Sequence, residues 1–129
     1  MNILVFNCGS SSLSYKIFEV SGDETAILLA GKAHRVGVTG SEPSFIENKL
    51  RGTVEKETVP IADHRGAAAL ALKYILAHKL PVDCIGHRFV HGGEYFRESA
   101  FVDAPAMENL IKCLPLAPIH NPMALSAIR

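Results

Sequence analysis

The chain has 129 residues, 48% of them apolar and 20% charged, which suits one domain of ordinary size with a real core and a soluble surface. Thirteen basic residues balance thirteen acidic ones, so no net field draws it to nucleic acid or anionic lipid, and neither is expected as a partner. Its longest apolar-biased window, Ala67 to Leu76 with Lys73 inside it, falls well short of the roughly 20 residues a membrane span needs.

Met1 to Val5 lacks the basic segment and cleavage site of a signal peptide. Asn2 to Phe6, short, apolar and β-branched, reads instead as a buried strand. Asn7-Cys8-Gly9-Ser10-Ser11-Ser12 then breaks it with turn formers. Leu13 to Val20 resumes as strand, with Leu13, Tyr15 and Ile17 alternating against Ser14, Lys16 and Phe18. Ser21 to Glu24 is a turn and Thr25 to Ala33 a third strand, and such short loops predict an antiparallel meander. Arg35 to Pro60 reads as an irregular loop followed by one or two edge strands. Asp63 is an N-cap for a helix from about His64 to His78. Leu70, Tyr74 and either Leu76 or Ala77 share one face of it, and Pro81 ends it. Val82 to Val90 reads as another buried strand, closed by His91-Gly92-Gly93. Pro105 to Leu114 is a short helix, and Asn121-Pro122 opens the next, Asn as cap and Pro at the first helical position. The order predicts an α/β fold that matches the first part of a ribonuclease H-like unit, a mixed sheet with flanking helices. The strand that would close such a unit is missing, so the chain reads as a piece cut before its last strand. Three widely spaced cysteines, Cys8, Cys84 and Cys113, suit reduced thiols in a cytoplasmic protein.

Three segments carry candidate chemistry. In the loop from Asn7 to Ser12 a glycine before consecutive serines offers an anion close backbone approach, N–H groups and hydroxyls. Asn7 stands where strand gives way to loop, its amide available to the same anion or to a metal. There is no GK[ST] and no helix follows, so this is not a Walker loop; an ordinary hairpin turn has the same composition. In Gly86-His87-Arg88-Phe89-Val90-His91-Gly92-Gly93, an arginine inside an apolar strand needs a partner, and its planar fork suits a carboxylate or phosphate. Strand alternation puts Val90 on the face of Arg88. Charge beside a small apolar wall suits a short carboxylic acid; a core salt bridge explains the arginine equally well. Arg88 is expected on a central strand, its guanidinium reaching the surface of a cleft. His87 and His91 lie about 13 Å apart on a strand, too far to share a metal. In Leu116-Ala117-Pro118-Ile119-His120-Asn121-Pro122, His120 precedes a helix N-terminus, a place where donors meet anions; taken alone, a structural histidine beside the cap is the commoner reading of such a position.

Together the three segments resemble the acetate kinase family. Asn2 to Leu13 is similar to its opening strand and phosphate loop, Gly86 to Glu94 to its second signature and Leu116 to Pro122 to its third, in matching order and spacing over essentially the whole chain. The resemblance implies the fold of the sugar kinase, actin and heat-shock chaperone superfamily, two ribonuclease H-like domains around a nucleotide cleft. Residues 1–129 would form part of the N-terminal domain, with the C-terminal domain absent. The implied reaction is reversible transfer of the γ-phosphoryl group of ATP to acetate, giving acetyl phosphate and ADP, with Mg²⁺ required and a homodimer at full length. By position, Asn7 would hold the metal, and Gly9, Ser10, Ser11, Ser12 and Ser14 would face the nucleotide phosphates. Arg88, the catalytic residue, would bind the carboxylate and steady the phosphoryl group, with Val90 and Ile119 walling the methyl pocket. Where the family usually has a lysine, this chain has Ser14; Lys16, two residues on and on the same strand face, reaches partway there. The family's catalytic acid, second arginine, active-site histidine and adenine-binding segments all fall after Arg129, so the chain alone is expected to be inactive. A propionate or other short-chain carboxylate kinase, or a non-catalytic nucleotide-binding module of the superfamily, fits the same residues. A ribonuclease H-like nuclease does not, for it needs a carboxylate cluster and the first two strands carry only Glu19.

Overall fold

The computed structural model describes residues 1–38, 42–88, 98 and 102–112. Five strands follow one another: β1 (Asn2–Cys8), β2 (Ser12–Ser21), β3 (Glu24–His34), β4 (Phe45–Leu50) and β5 (Thr53–Thr58). Each pairs antiparallel with the next. The helix α1 (His64–Ala77) then leads to β6 (Cys84–His87), which lies parallel to β1, and α2 (Ala104–Lys112) follows. The sheet order is β5-β4-β3-β2-β1-β6.

Local chemistry accounts for most of these elements. Gly22, at φ 60°, turns the chain between β2 and β3. Arg51 and Gly52, at φ 51° and 83°, make the two-residue turn between β4 and β5, the left-handed pair that matches strand twist. Asp63 caps α1, its carboxylate accepting from the Gly66 N–H at 2.7 Å; Asp103 does the same for α2 through the Ala106 N–H at 2.8 Å.

The core lies between α1 and one face of the sheet. Leu4, Phe6 and Cys8 of β1, Leu13, Tyr15 and Ile17 of β2, and Leu29 and Ala33 of β3 are buried there. Burial pushes the Cys8 thiol up to about 11, so it stays a protonated, packed side chain. Tyr15 lies across Gly31, where a Cβ would collide with the ring. Its hydroxyl donates to Asn48 Oδ1, a buried bond that ties β2 to β4 across the glycine.

Several expectations need correction. The buried stripe of α1 is His64, Ala67, Ala68, Ala71 and Ile75. Leu70 and Tyr74 are only partly buried against the core, and Leu76 is 77% exposed. Small alanines let the helix lie close on the sheet, which turns the larger side chains toward its rim. The helix ends within a residue of the expected His78, but Pro81 is not what ends it. The N–H of Lys79 donates to the Leu76 carbonyl at 3.1 Å and that of Leu80 to the Ile75 carbonyl at 3.0 Å, with Lys79 at φ 53°, a paired C-terminal motif that proline plays no part in. Of the strand read over Val82 to Val90, the described residues form the four of β6, and Cys84 and Ile85 are exposed; residues 89 and 90 lie outside the described residues. Among the described residues β6 is outermost rather than central, so nothing covers its far edge. β1 runs through Asn7 and Cys8 because both remain paired with β2. Val90, His91, Gly92, Gly93, Ile119, His120 and the helix at Asn121 lie outside the described residues.

Candidate functional site

Strand alternation on β1 sends Leu4, Phe6 and Cys8 to the core and Asn7 to the opposite, open face. In the sheet register Asn7 pairs with Ser14, and Ser14 with Lys32 on β3. Paired residues share a face, so the three form one row. Arg88 joins it at the other end. It follows the Phe6–His87 pair directly, its backbone N–H donates to the Phe6 carbonyl at 3.1 Å, and its Nη1 donates to Asn7 Oδ1 at 3.5 Å. From Arg88 to Lys32 the row crosses four strands, about 14 Å at the usual strand spacing.

The row ends in cations with neutral donors and acceptors between them. Lys16, two residues along β2 from Ser14 on the same face, is exposed. Glu47, next to Lys32 across the sheet, is engaged by His34 at 3.4 Å. Neither Lys16 nor Lys32 makes an ion pair among the described residues. Lys32 lies directly abreast of Ser14 in the register, whereas Lys16 lies two residues along β2 from it. Register alone reveals that, since Ser14 and Lys32 are 18 residues apart.

The hairpin tip joining β1 to β2 rises from the end of the same row. Ser10 and Ser11 are exposed, and no described group accepts from their N–H groups or hydroxyls. A Cβ at Gly9 would lie 2.5 Å from Ser12 Oγ, which could rotate away to admit it. The Ser11 carbonyl accepts from the Val36 N–H at 2.8 Å. His64, the first residue of α1 and 6% exposed, sends Nε2 to the Gly9 carbonyl at 2.7 Å and the Ser12 carbonyl at 3.1 Å. Both partners only accept, so Nε2 carries the proton. Nothing in sequence links His64 to a loop 55 residues earlier; by pattern it is only the start of a helix.

Arg88 and the loop lie at the carboxyl ends of the parallel pair β1 and β6, where open α/β sheets bind ligands. His87, beneath this end, stacks on Phe6 with ring centroids 5.4 Å apart, and burial lowers its pKa, favouring the neutral ring. A recess between α1 and β4–β5, lined by Asn48, Glu55, Lys73 and Tyr74 among others, opens on the opposite face and holds none of the candidate residues.

The family model of the acetokinase family matches residues 2–129. The chain belongs to the acetokinase family. Acetate kinase from Thermotoga petrophila is 38% identical over 136 aligned residues, covering 100% of this chain and 32% of that protein. The crystal structure of acetate kinase from Entamoeba histolytica matches with a TM-score of 0.83 at 41% identity, over 99% of this chain and 30% of that one. A propionate kinase from Francisella tularensis matches with a TM-score of 0.84 at 28% identity, over 99% of this chain and 32% of that one. This acetokinase-family chain therefore has the α/β fold of those kinases, the actin-like ATPase fold, and spans about a third of the length of the curated relatives it matches. Among the described residues no helix is long and apolar enough to cross a membrane.

Proposed function

We propose that these residues supply one wall of the active site of an acetate kinase. The reaction is reversible transfer of the ATP γ-phosphoryl group to acetate: the bond from γ-phosphorus to the β–γ bridging oxygen breaks, a bond from phosphorus to an acetate oxygen forms, and ADP and acetyl phosphate leave. The observation that carries this is Arg88 Nη1 3.5 Å from Asn7 Oδ1 beside an anion-ready loop, within an acetokinase-family chain. Such transfer relies on positioning and charge neutralisation more than on covalent chemistry. Arg88 holds the acetate carboxylate and steadies the phosphoryl group in flight. Gly9 to Ser12 and Ser14 face the nucleotide phosphates, and Val90 and Ile119 wall the methyl pocket.

Mg²⁺ is the metal we infer. Asn7 offers an exposed neutral oxygen, and the described residues contain no His, Cys, Asp or Glu cluster able to enclose an ion. That donor set fits a cation held mainly by phosphate oxygens and water, the usual habit of Mg²⁺, with Asn7 adding a protein oxygen. When bound, it neutralises phosphate charge.

On this reading residues 1–129 belong to the first of two ribonuclease H-like domains, and a family-length homodimer works in the cytoplasm on acetate and ATP. Propionate is the alternative acceptor, because one methylene changes binding by only about 1–3 kcal/mol. The test is acetyl phosphate production, trapped as hydroxamate, by a family-length protein carrying this chain, with acetate and propionate compared. The 129-residue chain alone is expected to give none. Nucleotide binding without transfer by the family-length protein would favour a non-catalytic module instead.

A further inference from the structure

A two-residue hairpin between Gly9 and Ser12 would ordinarily be closed by two backbone bonds. The Gly9 N–H donates to the Ser12 carbonyl at 2.9 Å, but the return bond from the Ser12 N–H to the Gly9 carbonyl is not made. The Gly9 carbonyl goes instead to His64 Nε2 at 2.7 Å. The peptide bonds are trans, so within each plane the C=O and the following N–H point opposite ways. Drawing the Gly9 carbonyl toward α1 therefore turns the Ser10 N–H outward, away from the helix. The Ser12 carbonyl is held inward by the same nitrogen at 3.1 Å, and the Ser11 carbonyl by Val36. The carbonyl oxygens of Gly9, Ser11 and Ser12, which would repel a phosphate, are thus taken up by protein donors, while the N–H groups of Ser10 and Ser11 have no protein acceptor among the described residues.

We propose that His64 is a positioning residue for nucleotide phosphates: it replaces the hairpin's closing bond and so holds the tip open with its amides facing the anion. The proposal rests on the acetate kinase reading for the identity of the anion, but not for the geometry. Burial of the ring and its place at the start of α1 make the loop's shape depend on how that helix sits on the sheet.

The test compares His64→Leu, His64→Gln and His64→Asn in the family-length protein. Glutamine places an amide N–H where Nε2 is; asparagine falls short of it. KM for ATP should rise about tenfold in His64→Leu, the weight of one lost hydrogen bond, with KM for acetate within twofold, and His64→Gln should recover most of the loss. A lower melting temperature with unchanged KM for ATP would make the residue merely structural and overturn the proposal. Should His64→Leu not fold, equal KM values for the Gln and Asn variants would overturn it as well. If the wild-type protein transfers no phosphoryl group, the acetate kinase reading fails and the loop is tested separately in the 129-residue chain. Tripolyphosphate should then shift the Ser10 and Ser11 amide resonances in wild type and much less in His64→Asn. No shift in wild type, or equal shifts in both, would refute the positioning role.

Discussion

Replacing Arg88 by alanine separates a functional role from a structural one. Arg88 is exposed, its one side-chain contact among the described residues is the 3.5 Å approach to Asn7, and its backbone bond to Phe6 survives the substitution. Stability should therefore change by no more than about 0.5 kcal/mol, the range of ordinary surface substitutions. The catalytic cost should be far larger. A guanidinium that strengthens its hold as charge moves onto the transferring phosphoryl group acts like other preorganised donors, whose removal lowers kcat about 10²–10³-fold. Arg88→Lys keeps the charge but loses the planar fork and should fall between. Val90→Ala, which trims an apolar wall, should mainly raise KM for the acid. The assay is steady-state acetyl phosphate formation by the family-length protein, with thermal melting run on each variant. Turnover near wild type in Arg88→Ala would refute the assignment. So would a loss of activity that tracks a loss of melting temperature, or equal turnover losses in Arg88→Ala and Val90→Ala.

Tyr15→Phe should destabilise the chain by about 1–3 kcal/mol, because it leaves the buried Asn48 Oδ1 without its donor; pairing it with Asn48→Leu should recover part of that, and urea midpoints that fail to show this coupling would exclude the bond as a source of stability. Lys79→Gly should raise the melting temperature, since a lysine at φ 53° bears a left-handed strain of about 1–2 kcal/mol that glycine lacks; a lower melting temperature would contradict it. His87, whose pKa burial lowers from 6.5, binds its proton less readily folded than unfolded. Its contribution is full above pH 6.5 and is lost as pH falls from there through its folded value, so urea midpoints at pH 7.5 and 5.5 should differ less in His87→Gln than in wild type.

What the sequence determined by itself is what short-range chemistry controls. The β1–β2–β3 meander, the alternation that buries Leu13, Tyr15 and Ile17, and the Asp63 cap each depend on residues a few positions apart, and each was legible. So was a turn at Gly9 to Ser11, because glycine and serine mark a turn wherever they occur together, although β1 runs on through Asn7 and Cys8. The most buried stripe of α1 was not legible, since the pattern favours large apolar residues whereas close approach to the sheet favours Ala67, Ala68 and Ala71. The extent of α1 was legible to within a residue, but not what stops it, because a left-handed Lys79 leaves less trace in sequence than a proline. The assembly of the site was decided only by tertiary structure. Setting β6 beside β1 brings Arg88 to Asn7 from 81 residues away, and sheet register brings Lys32 abreast of Ser14. Packing of α1 carries His64 to the Gly9 carbonyl. These meetings join strands and helix that are distant along the chain, and backbone pairing and core packing fix them without leaving a local pattern to read.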